Sequence, residues 1–123
     1  MLDHARADAP NECCGLLLSA ADTILEATPA TNLTPSPTRY RVDPRDHFAV
    51  IRRARTEGLT VVGTYHSHPA TPAVPSASDL AEATYPEYLS VIVSLLEMTS
   101  TDQIGAFRLD RGGFERVTLV VEE

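Results

Sequence analysis

Apolar and polar positions alternate along this chain in short blocks, separated by proline, glycine and small polar residues, and the blocks predict a mixture of strands and helices. The stretch "MLDHARADA" has the composition of a helix end, and Pro10 with Asn11 stops it. "CCGLLLS" is a short apolar run and "DTILEAT" alternates, so the two together predict a hairpin turning at Ala20 to Asp22. Between Pro29 and Thr38 three prolines sit among Ser and Thr, which predicts a surface loop, and "RYRVD" then returns as a strand. Asp43 followed by Pro44 marks a helix start, with proline at the first helical position. Phe48, Ile51 and Ala54 or Arg55 recur at helical spacing until Gly58.

The second half opens on "LTVVGTYHS", β-branched and aromatic, which predicts a buried strand. "SASDLAEAT" predicts a short helix stopped by Pro86, and "YLSVIVSLL", the most apolar run, a central strand. "IGAFRLD", the turn "RGG" and "FERVTLVV" predict a closing hairpin. No internal repeat or low-complexity tract interrupts this order. The 123 residues suffice for one core, so a single domain is expected over 1–123. Its class is α/β of the α+β type, a mixed, mostly antiparallel curved sheet flanked by helices.

Charge and cysteine usage narrow the function classes. The formal charge is −7, and the one basic cluster, "IRRAR" at Ile51 to Arg55, reads as the exposed face of a helix. Such a surface repels phosphate backbones, so nucleic acid is not an expected partner. Adjacent Cys13 and Cys14 project to opposite sides of a strand and do not pair; one buried and one half-exposed thiol in a reducing cytoplasm is the expectation. No run is long enough to span a membrane, and the start carries charges where a signal peptide needs an apolar stretch. His4 and His47 read as surface residues, Tyr65 and Tyr88 as core.

Candidate chemistry is concentrated in "GTYHSHPATPAVPSASDL", from Gly63 to Leu80. Successive strand residues alternate faces, so His66 and His68 point the same way and can share one metal ion. Zinc requires at least one further protein ligand, and Asp79 is the natural third if the proline-stiffened loop folds back. The plainer reading is a capping box, because Ser76 to Asp79 matches S-x-x-[DE] ahead of an alanine-rich helix. The cap explains Ser76 and Asp79 but not the paired histidines, whereas a metal site explains all three ligands and leaves the Ser76 hydroxyl beside the open position. The two readings can coexist. A general base that is not itself a ligand is also needed, and Glu12, ahead of the first apolar strand, is the candidate. Its plainer reading is a surface turn glutamate.

Glu12, then H-S-H-P at His66 to Pro69, six residues, and S-A-S-D at Ser76 to Asp79 resemble the motif of the JAMM (MPN+, or JAB1/MPN/Mov34) metalloproteases, E…H-x-H-P-x₆-S-x-x-D. The likeness continues through "ECCGLLL", "VDPRDHF", "VVGTYHSHP" and "AFRLD", in the manner of the short prokaryotic branch. It implies a cytidine-deaminase-like JAMM/MPN fold and a zinc peptidase in which His66, His68 and Asp79 bind one Zn²⁺. Glu12 would serve as base and proton donor, and Ser76 as hydrogen-bond donor to the oxyanion. The implied substrate is the amide bond after the C-terminal diglycine of a ubiquitin-like sulfur carrier protein, with cysteine or a short extension released. Homodimerisation is compatible with the resemblance. The alternatives are a non-catalytic module of this fold that docks a ubiquitin-like tail, and a RadC-like protein associated with DNA repair. The chain opens inside what the resemblance makes the first helix, so the preceding strand and the start of that helix are expected to be missing.

Overall fold

The computed structural model describes residues 1–82, 87–96, 103–110 and 113–120. The elements are α1 (Leu2–Asp8), β1 (Cys14–Ala20), β2 (Thr23–Ala30), α2 (Pro44–Glu57), β3 (Thr60–His68), α3 (Ala77–Glu82), β4 (Leu89–Ser94), β5 (Ile104–Asp110) and β6 (Gly113–Val117). Six strands form one sheet in the order β2-β1-β3-β4-β5-β6. Every neighbouring pair is antiparallel except β3 and β4, which run parallel through α3. This is the mixed, mostly antiparallel sheet that the pattern predicts. Proline 86 and the tip of the last hairpin lie outside the described residues, and no described helix is long and apolar enough to cross a membrane.

Strand parity sorts the core into two faces. One buries Cys13, Leu17, Tyr65, Val91, Val93 and Ala106 against Ala5 of α1. The other packs Leu16 and Leu18 against Val50 and Ala54 of α2, with Ile92, Phe107 and Ala73 continuing it toward β5. Because both faces are covered, Cys13 and Cys14 are both buried, which corrects the half-exposed expectation for one of them. Burial pushes the Cys14 thiol up to about 12, so it stays protonated and inert at neutral pH. Gly15 is required between them and the rest of the strand: a Cβ there would lie 2.2 Å from the Tyr65 ring.

Helix α2 begins and ends as its sequence dictates. Asp43 caps it by accepting from Arg45 N–H at 2.9 Å, and Gly58 closes it in the left-handed region at φ 73°. Its inward face is Val50 and Ala54, while Phe48 stands outside at 62% exposure, so the apolar repeat through Phe48 does not mark the buried side. Within "IRRAR", Arg53 ties the helix to Glu26 of β2 and to Glu57. β2 runs through Pro29, which an edge strand tolerates because one side of its backbone has no partner.

The expected strand over "RYRVD" does not form; only Asn32 and Val42 pair, as an isolated bridge. Asn32 Oδ1 accepts from Thr34 N–H and Arg41 N–H, closing the segment on itself, and Pro35 and Pro37 offer no N–H to extend a ladder.

His4 is not a plain surface residue. Its Nδ1 lies 2.8 Å from the Tyr65 hydroxyl and its Nε2 3.3 Å from Asp8, which anchors α1 to β3. Tyr65→Phe keeps the packing and removes the bond, so it should cost about 1 kcal/mol in denaturant unfolding. Hydrogen exchange over residues 2–8 should speed up with it; unchanged exchange there would show that the bond does not hold the helix.

Candidate metal centre

β3 carries His66 and His68 to its C-terminal end on the α2 face of the sheet, where they are 0% and 3% exposed. The turn over Pro69 to Pro75 brings the start of α3 back over that end, and Asp79, in the first turn, is buried beside them. His66 Nε2 and His68 Nε2 are 3.2 Å apart, and Asp79 Oδ2 lies 3.2 Å from the first and 3.0 Å from the second. The capping box also forms in full. Ser76 N–H donates to Asp79 Oδ2 at 2.9 Å and Asp79 N–H donates to Ser76 Oγ at 3.0 Å. One aspartate therefore caps the helix and faces both imidazoles.

The tautomer of His68 decides what this cluster wants. Its Nδ1 is 2.8 Å from the Pro72 carbonyl, which only accepts, so Nδ1 carries the hydrogen and the neutral ring presents a lone pair at Nε2. That lone pair faces a carboxylate oxygen and a second imidazole nitrogen, an arrangement that needs a positive charge at its centre. Burial opposes the charged form of His68, but its bonds to Asp79 and the Pro72 carbonyl outweigh this and raise its pKa. Burial lowers the pKa of His66 despite the same carboxylate. Asp79 would be raised by burial, yet the two imidazoles and Ser76 N–H hold it well below the ordinary carboxylate range. Two nitrogens and one carboxylate oxygen suit a divalent cation. Edges of 3.0–3.2 Å are close to the roughly 3.3 Å spacing of donors on a tetrahedral ion with bonds of about 2.0–2.1 Å.

Glu12 is buried at 3% exposure, which overturns its reading as a surface turn residue. Cys14 is opposite His66 in the β1–β3 register, Ser67 N–H donates to the Cys13 carbonyl at 3.1 Å and Cys13 N–H donates to Ser67 Oγ at 2.8 Å, so Glu12, the next residue back along the chain, enters at the end of β3 that carries His68. Its negative charge contributes to the raised pKa of His68. The 31–43 segment holds its backbone, with Glu12 N–H donating to the Ser36 carbonyl at 2.8 Å and Asn32 Nδ2 donating to the Glu12 carbonyl at 3.0 Å. Ser76 lies at the exposed rim, and since its oxygen accepts from Asp79 N–H, its own O–H remains to donate.

A groove of about 830 Å³ leads away from Asp79 across this face of the sheet. Tyr40, Thr64, His47, Tyr88, Leu109 and Phe114 are among its walls. His47 Nε2 is 3.0 Å from the Tyr88 hydroxyl, and burial lowers the His47 pKa, so neither the surface reading of His47 nor the core reading of Tyr88 holds. Tyr40 stacks on His66. Nothing in the one-dimensional pattern signals that contact, because it joins a proline-rich loop to a strand through tertiary structure alone.

The model of the family described as prokaryotic homologs of the JAB domain matches residues 1–109. The chain belongs to this prokaryotic JAB family. Among relatives of this JAB chain, the desampylase of Haloferax volcanii is 37% identical over 101 residues, spanning 76% of this chain and 73% of that protein. The CysO-cysteine peptidase of Mycobacterium tuberculosis is 41% identical over 96 residues, spanning 76% and 66%. A solved protein from Desulfitobacterium hafniense superposes with a TM-score of 0.90 at 35% identity, over 100% of this chain and 86% of that one. Membership makes the chain a JAMM-type enzyme by family, and its His-His-Asp group is where the family's metal dependence would reside.

Asn32 is the residue on which the geometry of the 31–43 segment turns. Asn32→Ala removes its bonds to Glu12, Thr34 and Arg41 and should cost about 1–3 kcal/mol in unfolding. The Arg41 amide should lose protection from hydrogen exchange, and unchanged protection would contradict this role.

Proposed function

We propose that the chain is a zinc-dependent peptidase cleaving the amide bond after the C-terminal diglycine of a ubiquitin-like sulfur carrier protein, with cysteine or a short extension released. The observation that carries the chemistry is the trio of buried donor atoms 3.0–3.2 Å apart. His66, His68 and Asp79 would hold the zinc, which when bound supplies Lewis acidity and lowers the pKa of a coordinated water to about 7. Glu12 takes a proton from the attacking water and later returns it to the leaving amine nitrogen. The Ser76 O–H donates to the carbonyl oxygen as negative charge develops there. The balance is simple hydrolysis: the carbon–nitrogen bond breaks, the water oxygen stays on the carbonyl carbon, and both water protons end on products.

The names of the relatives support the substrate class, and the groove supports the form in which it binds. An extended tail lying along Thr64 and Tyr40 would reach the metal centre at Asp79, and glycines there would let its backbone approach closely. We read residues 1–123 as one such domain, working in a reducing cytoplasm where its two free cysteines remain thiols. The non-catalytic alternative, a module that docks a tail without cutting it, is disfavoured by the complete donor set.

The test is mass-spectrometric detection of the residue released from a ubiquitin-like carrier extended by cysteine after its diglycine. Glu12→Gln should keep its zinc and lose roughly 10²–10⁴ in kcat, and Ser76→Ala roughly 10²–10³. Near-normal turnover by Glu12→Gln would remove Glu12 from the proton transfer. Asp79→Ala should lose metal and activity together.

A further inference from the structure

We infer that Tyr40 is a positioning residue for the metal centre, holding the His66 imidazole by ring stacking in place of a hydrogen bond. The inference rests on the metal-centre reading above.

Ligating histidines are ordinarily oriented through the ring nitrogen that does not bind the metal, which donates to a carbonyl or carboxylate. His68 follows that pattern through Nδ1 and the Pro72 carbonyl. His66 does not: its Nδ1 is buried and has no hydrogen-bond partner among the described residues. What fixes its plane is the Tyr40 ring, 4.2 Å away between centroids and tilted by only 19°. His68 lies against it at 5.0 Å with a 59° tilt, which blocks rotation out of that plane. The Nε2 lone pair lies in the plane of the ring, so fixing the plane fixes the direction in which His66 offers its electrons.

Tyr40 is itself held in place. It lines the same groove as Thr64, which lies two residues before His66 on the same face of β3. Its backbone is set by the neighbouring Arg41, whose N–H donates to Asn32 Oδ1 at 2.9 Å and whose carbonyl accepts from Leu33 N–H at 2.8 Å. The same Asn32 holds the Glu12 carbonyl. The 31–43 segment thereby sets the plane of one imidazole and the position of the acidic residue with a single fastening.

The test is zinc affinity of the full chain by competition with a chromogenic chelator, comparing wild type, Tyr40→Phe, Tyr40→Leu and Thr64→Val, beside thermal unfolding of each metal-free protein. Tyr40→Phe keeps the stacked ring and should stay within about threefold of wild type, as should Thr64→Val. Tyr40→Leu should bind zinc roughly 10–100-fold more weakly, the usual effect of losing an orienting partner, with little change in the metal-free melting temperature. Cobalt-substituted Tyr40→Leu should show an altered visible spectrum, which a purely structural role would not produce. If Tyr40→Leu does not fold, Tyr40→Met is read in its place, because a thioether fills the volume without a ring plane. Affinity of the leucine or methionine variant within threefold of wild type overturns the inference. Equal weakening in Tyr40→Phe also overturns it, by assigning the effect to the hydroxyl. A wild-type chain that binds no zinc fails the metal-centre reading first, and is distinguished from these outcomes by the wild-type measurement alone.

Discussion

A carboxylate buried against two imidazoles cannot stand as three lone pairs facing one another, and the architecture around it is arranged for that constraint. Asp79 Oδ2 reaches both Nε2 atoms and accepts from Ser76 N–H, while the Pro72 carbonyl fixes which nitrogen of His68 carries the hydrogen. Removing a charge from water is costly unless it is paired and hydrogen-bonded. Here the compensation comes from three separate pieces of chain: the end of β3, the turn over residues 69–75 and the first turn of α3. A divalent cation at the centre would complete it.

The sheet makes that convergence possible through parity and direction. Parity puts both histidines on the face opposite Tyr65, and the parallel step from β3 to β4 forces a crossover that carries Asp79 back over the strand end. β1, antiparallel to β3, runs the other way and so brings Glu12 to the same end. Glu12, the three donor atoms and the Ser76 hydroxyl thus arrive from three stretches of chain at one rim, with the groove leading to it along the exposed remainder of the same face.

Most of this was legible in the sequence because it depends on local rules. Alternation placed the histidines on one face, S-x-x-D marked the cap, and Asp43-Pro44 with Gly58 bounded α2. What was not legible depends on contacts between segments distant in sequence. The proline-rich stretch from Pro29 reads as a loop by composition, and it is one, but composition does not reveal that Asn32 fastens Glu12 or that Tyr40 covers His66. Burial of both cysteines follows from cover on both sides of the sheet, and buried Glu12 is held by the 31–43 segment, neither of which a single strand encodes. The outward turn of Phe48 has the same origin: the sheet selects Val50 and Ala54, although the helical period admits either stripe.

The central claim is that His66, His68 and Asp79 form one metal centre. The most direct test is metal content of the purified chain by elemental mass spectrometry, wild type beside a His66→Ala, His68→Ala double variant, both first supplied with zinc and dialysed. About one zinc per wild-type chain, absent from the variant, is the predicted result, as expected of a closed set of three protein donors. A wild-type chain that retains none, or a variant that retains as much, would contradict the account.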